Sequence, residues 1–287
     1  CSLDIEFART FIKIVDTGSF TAAAQSLHLT QTAISRRMRS LEEYMGCQLI
    51  IRNKSGATLT PSGRRFLRYA VNMVQTMEHA RHDIGFAPAY DGVLTVGGRF
   101  GLWDGLLLRW LEKISIEQPK IQIRAESGIE EGLMQNLIDG RLDIGIMYTP
   151  QHRPTLKVDW LFDEELILVS TKRISLELVN PSTYIHVNWG PEFLSQLTAS
   201  LPELSSPRIT VGIGWLGLQH IFNVGGSGYF PRRLVHEFIN QGRLFPVESA
   251  PSFQLPAYVV YSKSSDNIYI ALVVSVLNQV VAEINTI

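Results

Sequence analysis

The side chains best suited to chemistry in this 287-residue chain gather in two places. Near its start, Gln31, Thr32, Ser35, Arg36 and Arg39 share one face of a helical run that begins after Thr30. Such side chains read double-stranded DNA: Gln pairs bidentately with adenine, Arg with guanine, and Ser or Thr meets bases or phosphates. Arg52 and Lys54 stand at the tip formed by the turn Asn53-Lys54-Ser55-Gly56, from which they could reach phosphates or a minor groove. The second group follows strand-like runs: Gly98, Arg99 and Phe100, then Ser127 and Gly128, then Asn188, Trp189 and Gly212. Ligands of open α/β sheets sit at the carboxyl ends of strands, so these residues suit a small-molecule cleft. Arg99 could bind an anionic effector through two nitrogens, fill the cleft, or pair with an acidic neighbour such as Asp104 or Glu126. Trp103, Trp189 and Trp215 could form an aromatic wall or belong to the core.

Catalytic and metal chemistry finds little footing. Neither G-x-S-x-G nor H-E-x-x-H occurs. Cys1 and Cys47 are the only cysteines, too few for a disulfide framework or a zinc site. His79 and His82 have no clear third ligand. The run Gly212-Ile213-Gly214-Trp215-Leu216-Gly217 has dinucleotide-fingerprint spacing, with Glu237 20 residues beyond it. Only 70 residues follow Gly217, however, which is short of the usual dinucleotide fold. Gly225-Gly226-Ser227-Gly228 reads as a tight turn before Tyr229. No enzyme activity, cofactor or metal is expected.

The elements that hold these residues follow from hydrophobic spacing. Phe7, Phe11, Ile14 and Val15 make a first helix that Gly18 stops. Ser19 caps a second, with Phe20, Ala23, Ala24 and Leu27 on one side; the alanines let another helix cross closely. Thr30 caps a third, with Ile34, Met38, Leu41 and Met45 inward and Gly46 at its end. Two strand-like runs around residues 53–56 form a wing. Thr60-Pro61 starts a long helix whose Phe66, Ala70, Met73, Met77, Ala80 and Ile84 step as an a/d seam, the pattern of a helix that pairs with a second copy. Beyond Pro88–Gly92 strands and helices alternate: strand-like Val93–Gly97 leads to a helical run through Ile116, strand-like Ile121–Ala125 precedes helical Ile129–Asp139, and strand-like Leu142–Met147 and Leu166–Ser170 follow. Two chain crossings would make a hinged cleft between lobes.

Charge divides the same way. The chain carries net −1, with 45% hydrophobic and 18% charged residues, which excludes wholesale disorder. Residues 1–65 hold nine positive and five negative groups, so a head of +4 sits on a body of −5. A basic head points to a polyanion. The opening CSLDIEFART lacks a basic stretch leading into an apolar core, and Ile268 to Val281 is broken by Ser275, Asn278 and Gln279. No membrane span and a cytoplasmic location are expected.

The stretch GSFTAAAQSLHLTQTAISRRMRSLEEYMGCQLIIRNKSGATLTPSG, residues 18–63, resembles the N-terminal domain of the LysR-type transcriptional regulators. Its pieces GSFTAAA, LTQTAISRRMRSLE and LTPSG stand in the family's order and spacing. Thr32 replaces a common Pro, and Ile51 a more usual charged residue. The resemblance implies a multidomain chain: a winged helix-turn-helix head (1–60), a dimerising linker helix (61–87) and a two-lobed α/β effector-binding domain of periplasmic-binding-protein type (88–287). Lobe I would take about 92–162 and 262–287, lobe II about 163–261. It further implies a dimer or tetramer on pseudo-palindromic promoter DNA, a small-molecule effector and contact with RNA polymerase. An architectural DNA-binding protein with a filled cleft is the alternative reading.

Overall fold

The computed structural model describes residues 4–53, 56–83, 90–263 and 268–284. Lys54 and Ile84, both expected site residues, lie outside these. Each head helix begins on a side-chain cap and two end on a left-handed glycine, the economical way to meet orphan amides and turn the chain. Helix α1 (Ile5–Thr17) is capped by Asp4 and ends at Gly18, φ 65°. Helix α2 (Phe20–Ser26) is capped by Ser19. Helix α3 (Gln31–Met45) is capped by Thr30, whose Oγ1 accepts from the Ala33 amide at 3.1 Å, and ends at Gly46, φ 66°. Ala23, Ala24, Ile34, Met38 and Leu41 are fully buried with Phe11 and Ile14. Met45, expected inward, is exposed at the last turn.

The wing is an antiparallel pair, β1 (Ile50–Asn53) and β2 (Gly56–Leu59). Glu42 Oε1 accepts from the Leu49 and Ile50 amides at 2.7 and 3.0 Å, fixing the wing to α3. Helix α4 (Pro61–Asp83) starts where Thr60 Oγ1 accepts from the Gly63 amide at 2.9 Å. Its expected seam divides. Phe66 and Ala70 are buried in the head's own core, Phe66 edge-on to Phe11 at 5.2 Å between centroids. They are thus taken by α1 and not free for a second chain. Met73 and Ala80 are half-buried, and Met77 is 45% exposed. The first part of the stripe is thus covered by the head itself, while Met77 further along stays open.

The body is one mixed nine-stranded sheet with helices around it. Strand β3 (Gly92–Gly98) leads through a single turn, α5 (Phe100–Leu102), to α6 (Leu108–Glu117). The continuous helix expected through Ile116 is broken at Asp104 (ψ 119°) and Gly105 (φ 77°). Strand β4 (Ile121–Ser127), helix α7 (Glu130–Ile138) and strand β5 (Ile144–Met147) follow, β4 and β5 both parallel to β3. Strand β6 (Leu156–Ser170) begins ten residues before the expected Leu166. Its first ten residues include Lys157, Asp159, Asp163, Glu164 and Glu165, polar groups that interrupt the apolar run by which a strand is read. The remaining elements are β7 (Tyr184–Val187), α8 (Pro191–Ser200), β8 (Ile209–Val211), α9 (Gly214–Val224), β9 (Ser227–Pro231), α10 (Arg232–Asn240), β10 (Phe245–Pro246), β11 (Phe253–Ser262) and α11 (Tyr269–Ile284).

Sheet order is β4-β3-β5-β11-β6-β9-β7-β8, with β10 also on β6. The antiparallel pair β6–β11 therefore joins the two halves, and its register shifts at Ala257/Tyr258. Helix α11 returns to α6, where Trp110 Nε1 donates to the Val273 carbonyl at 3.3 Å. The head also touches the body. Thr155 Oγ1 donates to Asp16 Oδ1 at 2.7 Å, Arg153 Nη1 donates to the Asp16 carbonyl at 3.0 Å, and Lys13 Nζ stands 3.5 Å from Asp139 Oδ1.

Candidate nucleic-acid interface and ligand cleft

On α3 the polar stripe is open. Gln31, Thr32, Arg36 and Arg39 are exposed at the helix's leading half, and the capping residue Thr30 is exposed beside them. Arg36 and Arg39 form no ion pair among the described residues, whereas Arg37, one position on, turns inward to Thr10 Oγ1 (3.2 Å) and Glu6 Oε2 (3.4 Å). Ser35 is half-covered because Arg52 Nη2 donates to its Oγ at 3.0 Å. The Arg52 guanidinium also lies 3.5 Å over the Phe20 ring. Arg52 thus braces the wing against α2 and α3 while remaining at the surface. His28, φ 53°, forms the tight left-handed turn between α2 and α3.

The residues after the strands separate into a lined cavity and a packed frame. A cavity of about 370 Å³ is lined by Phe100, Trp103, Asp104, Leu108, Ala125, Glu126, Ser127 and Trp215. Phe100 and Ser127 are thus expected residues that meet open space. Trp103 is anchored by donating Nε1 to the Glu126 carbonyl at 2.9 Å, and Trp215 is 53% exposed. Gly98 and Gly128 are frame: the Gly128 amide donates to the Gly98 carbonyl at 3.1 Å, and a Cβ on Gly98 would meet Leu107 at 2.5 Å. Gly212 is exposed with nothing within 4 Å of where a Cβ would be.

Three expectations are corrected. Arg99, offered as a ligand contact, is only 9% exposed and instead pairs with an acidic neighbour, which is Glu130 and not Asp104 or Glu126. Its Nη1 meets Glu130 Oε2 at 2.5 Å and its Nη2 donates to the Asn188 carbonyl at 2.9 Å. The guanidinium therefore joins β3 to α7 and to the loop after β7, and has no free edge aimed at a ligand. Trp189 is 1% exposed, with Nε1 donating to the Tyr229 carbonyl at 2.9 Å, so it is core. The Asn188 side chain accepts from the Gly190 amide at 3.2 Å, closing its own turn. The glycine run that mimics a dinucleotide fingerprint serves this tryptophan, since a Cβ on Gly214 would lie 2.6 Å from Trp189 Cη2.

A family model described as the bacterial regulatory helix-turn-helix protein, lysR family, matches residues 5–64. A second, the LysR substrate binding domain, matches residues 89–281. The chain belongs to the LysR family. As a LysR-type transcriptional regulator it has a helix-turn-helix DNA-binding domain and an α/β effector-binding domain. It is similar to the HTH-type transcriptional regulator HdfR of Yersinia enterocolitica, 28% identical over 276 residues and 92% of each chain. Among solved structures it is similar in fold to full-length LysG of Corynebacterium glutamicum with bound effector Arg (TM-score 0.61, 15% identity, 98% and 99% covered). ArgP of Mycobacterium tuberculosis is similar too (TM-score 0.60, 19% identity, 98% of each chain). No described helix is long and apolar enough to cross a membrane.

Sequence reasoning missed the charged group that closes this LysR-family body. Arg233 donates Nε and Nη2 to Glu164 Oε2 at 3.0 and 2.8 Å, Nη2 to the Gly101 carbonyl at 2.6 Å, and Nη1 to the Asp104 carbonyl. Tyr148 donates to the same carboxylate oxygen at 3.1 Å. Burial pushes the Tyr148 phenol well above its ordinary range, the neighbouring Glu164 charge adding to the effect. Arg233 thereby meets the carbonyls freed by the break at Asp104–Gly105, which accounts for that break. No local signal announces this: its partners are 69 and 132 residues away.

Proposed function

We propose that α3 lies in the major groove of a promoter operator, with Gln31, Thr32, Arg36 and Arg39 facing bases and phosphates and Ser35 contributing through its Arg52-held hydroxyl. Thr30 sits at the phosphate-facing helix start, and Arg52 and Lys54 bring the wing to the backbone. The observation that carries this reading is the pair of guanidinium groups, Arg36 and Arg39, without an ion pair among the described residues, on a helix whose opposite face packs Ile34, Met38 and Leu41. Functional units follow residues 1–60, 61–87 and 88–287, with lobes divided near 162 and 262.

Two copies would join through the outward side of α4, where Tyr69, Met73, Thr76, Met77 and Ala80 remain uncovered or half-covered. A two-fold dimer or a tetramer suits a pseudo-palindromic site. An effector in the cavity bounded by Phe100, Ser127 and Trp215 would bias the placement of the heads, and so promoter geometry and access of RNA polymerase, in the cytoplasm. Selection of bound duplexes from a random pool tests the reading. A pseudo-palindromic site that Arg36→Ala loses is expected; equal retention of unrelated DNA by both proteins overturns it.

A further inference from the structure

We propose that the cleft selects a compact organic cation, held by aromatic rings and two free carboxylates, and rejects carboxylate ligands. This rests on the cleft reading above and adds the ligand's charge class. Three aromatic side chains, Phe100, Trp103 and Trp215, line the cavity together with Leu108 and Ala125. Aromatic faces carry partial negative charge and attract ammonium and guanidinium groups. Asp104 and Glu126 complete the lining beside Ser127. Both are exposed, and neither side chain forms an ion pair or hydrogen bond among the described residues. No Lys, Arg or His stands among the described residues that line the cavity.

The two buried guanidinium groups nearby, Arg99 and Arg233, are already committed. Arg99 is held by Glu130 and by the Asn188 carbonyl. An anion that took Arg99 would strip Glu130 of its partner, and Glu130 Oε1 is already buried without one. That exchange leaves a carboxylate stranded away from water. Arg233 reaches Asp104 only at the main-chain carbonyl, and its charge is met by Glu164. Arg109 lines a different hollow, with Arg232 and Glu237. A carboxylate entering the cavity therefore meets two like charges and no cation among the described lining residues, whereas an organic cation finds two counter-charges and three rings.

Three ligands with the same ring and different charge test this on the full chain: benzyltrimethylammonium, benzyl alcohol and benzoate, titrated by calorimetry. The cation is expected to bind about tenfold more tightly than the alcohol, and benzoate not at all up to about 10 mM. Asp104→Asn with Glu126→Gln, both at exposed positions, should erase the cation's advantage and leave the alcohol unchanged, with the melting temperature unaltered. Trp215→Ala should weaken cation and alcohol together. Benzoate binding at least as tightly as the cation overturns the charge class, and if Trp215→Ala removes that binding the cleft still stands as the ligand site. Binding of none of the three overturns the proposal, while the DNA selection reads the regulator separately. Equal binding of all three, untouched by Trp215→Ala, overturns both the charge class and the cleft reading.

Discussion

Asp16 offers a sharp test of how the head sits on the body. It lies on the last turn of α1, 7% exposed, with Oδ1 accepting from Thr155 and Oδ2 without a partner. Burial pushes its carboxyl from 3.8 up to about 6, against the lowering effects of Thr155, Lys13 and Arg153. Between those two pH values the docked protein keeps a proton that the undocked or unfolded chain has lost. Stability therefore falls as pH rises through the window from about 4 to about 6, and is level above it. A shift of this size corresponds to about 3 kcal/mol. Asp16→Asn keeps an oxygen acceptor for the Thr155 hydroxyl and removes the titration. Urea unfolding of both proteins across the window, plotted as their difference, cancels every other carboxylate. The difference should favour Asp16→Asn increasingly up to about pH 6, by about 3 kcal/mol in all. A flat difference would show that Asp16 is not buried against Thr155 and Arg153. A difference of opposite slope would show that attraction to Lys13 and Arg153 outweighs burial.

Other outcomes follow from single contacts. Arg99→Met or Glu130→Met alone should cost about 2–4 kcal/mol by stranding a largely buried charge, and the double variant should recover most of it in denaturant unfolding. Gly214→Ala should lower stability by about 1–3 kcal/mol, because its Cβ would press on Trp189, while Gly212→Ala should leave the melting temperature unchanged. Arg36→Ala should weaken binding to a selected operator by about 1–3 kcal/mol in gel-shift titrations. Arg37→Ala, whose guanidinium faces Glu6 and Thr10, should lower the melting temperature of the head instead.

The head was legible because its signals are local. Asp4, Ser19 and Thr30 cap helices, Gly18 and Gly46 end them, and paired alanines permit a close crossing, all within a few residues of the structure they determine. The outward stripe of α3 followed from the inward one. The α4 seam shows where periodicity stops: Phe66 and Ala70 do mark a buried face, but spacing is the same whether α1 or a second chain covers it. In the body, Phe100 and Ser127, both at strand ends, line an open cavity, because sheet topology puts loops there whatever their sequence.

What stayed hidden is the destination of long polar side chains. Arg99 finds Glu130 at a separation of 31 residues and Asn188 at 89, and Asp16 finds Thr155 at 139. A charge in a sequence declares a valence without saying whether the fold already satisfies it. Once those pairs are drawn, the charges divide by a physical criterion. Arg99, Arg233 and Glu164 are spent on holding the body together, since moving any one would strand another out of water. Arg36 and Arg39 on the head, and Asp104 and Glu126 in the cleft, have no ion-pair partner among the described residues and stand at the surface. Water satisfies such groups at little cost, so folding does not require them where they stand. Their grouping by sign, cations on one helix face and carboxylates among aromatic rings, therefore assigns the polyanion to the head and a cation to the cleft.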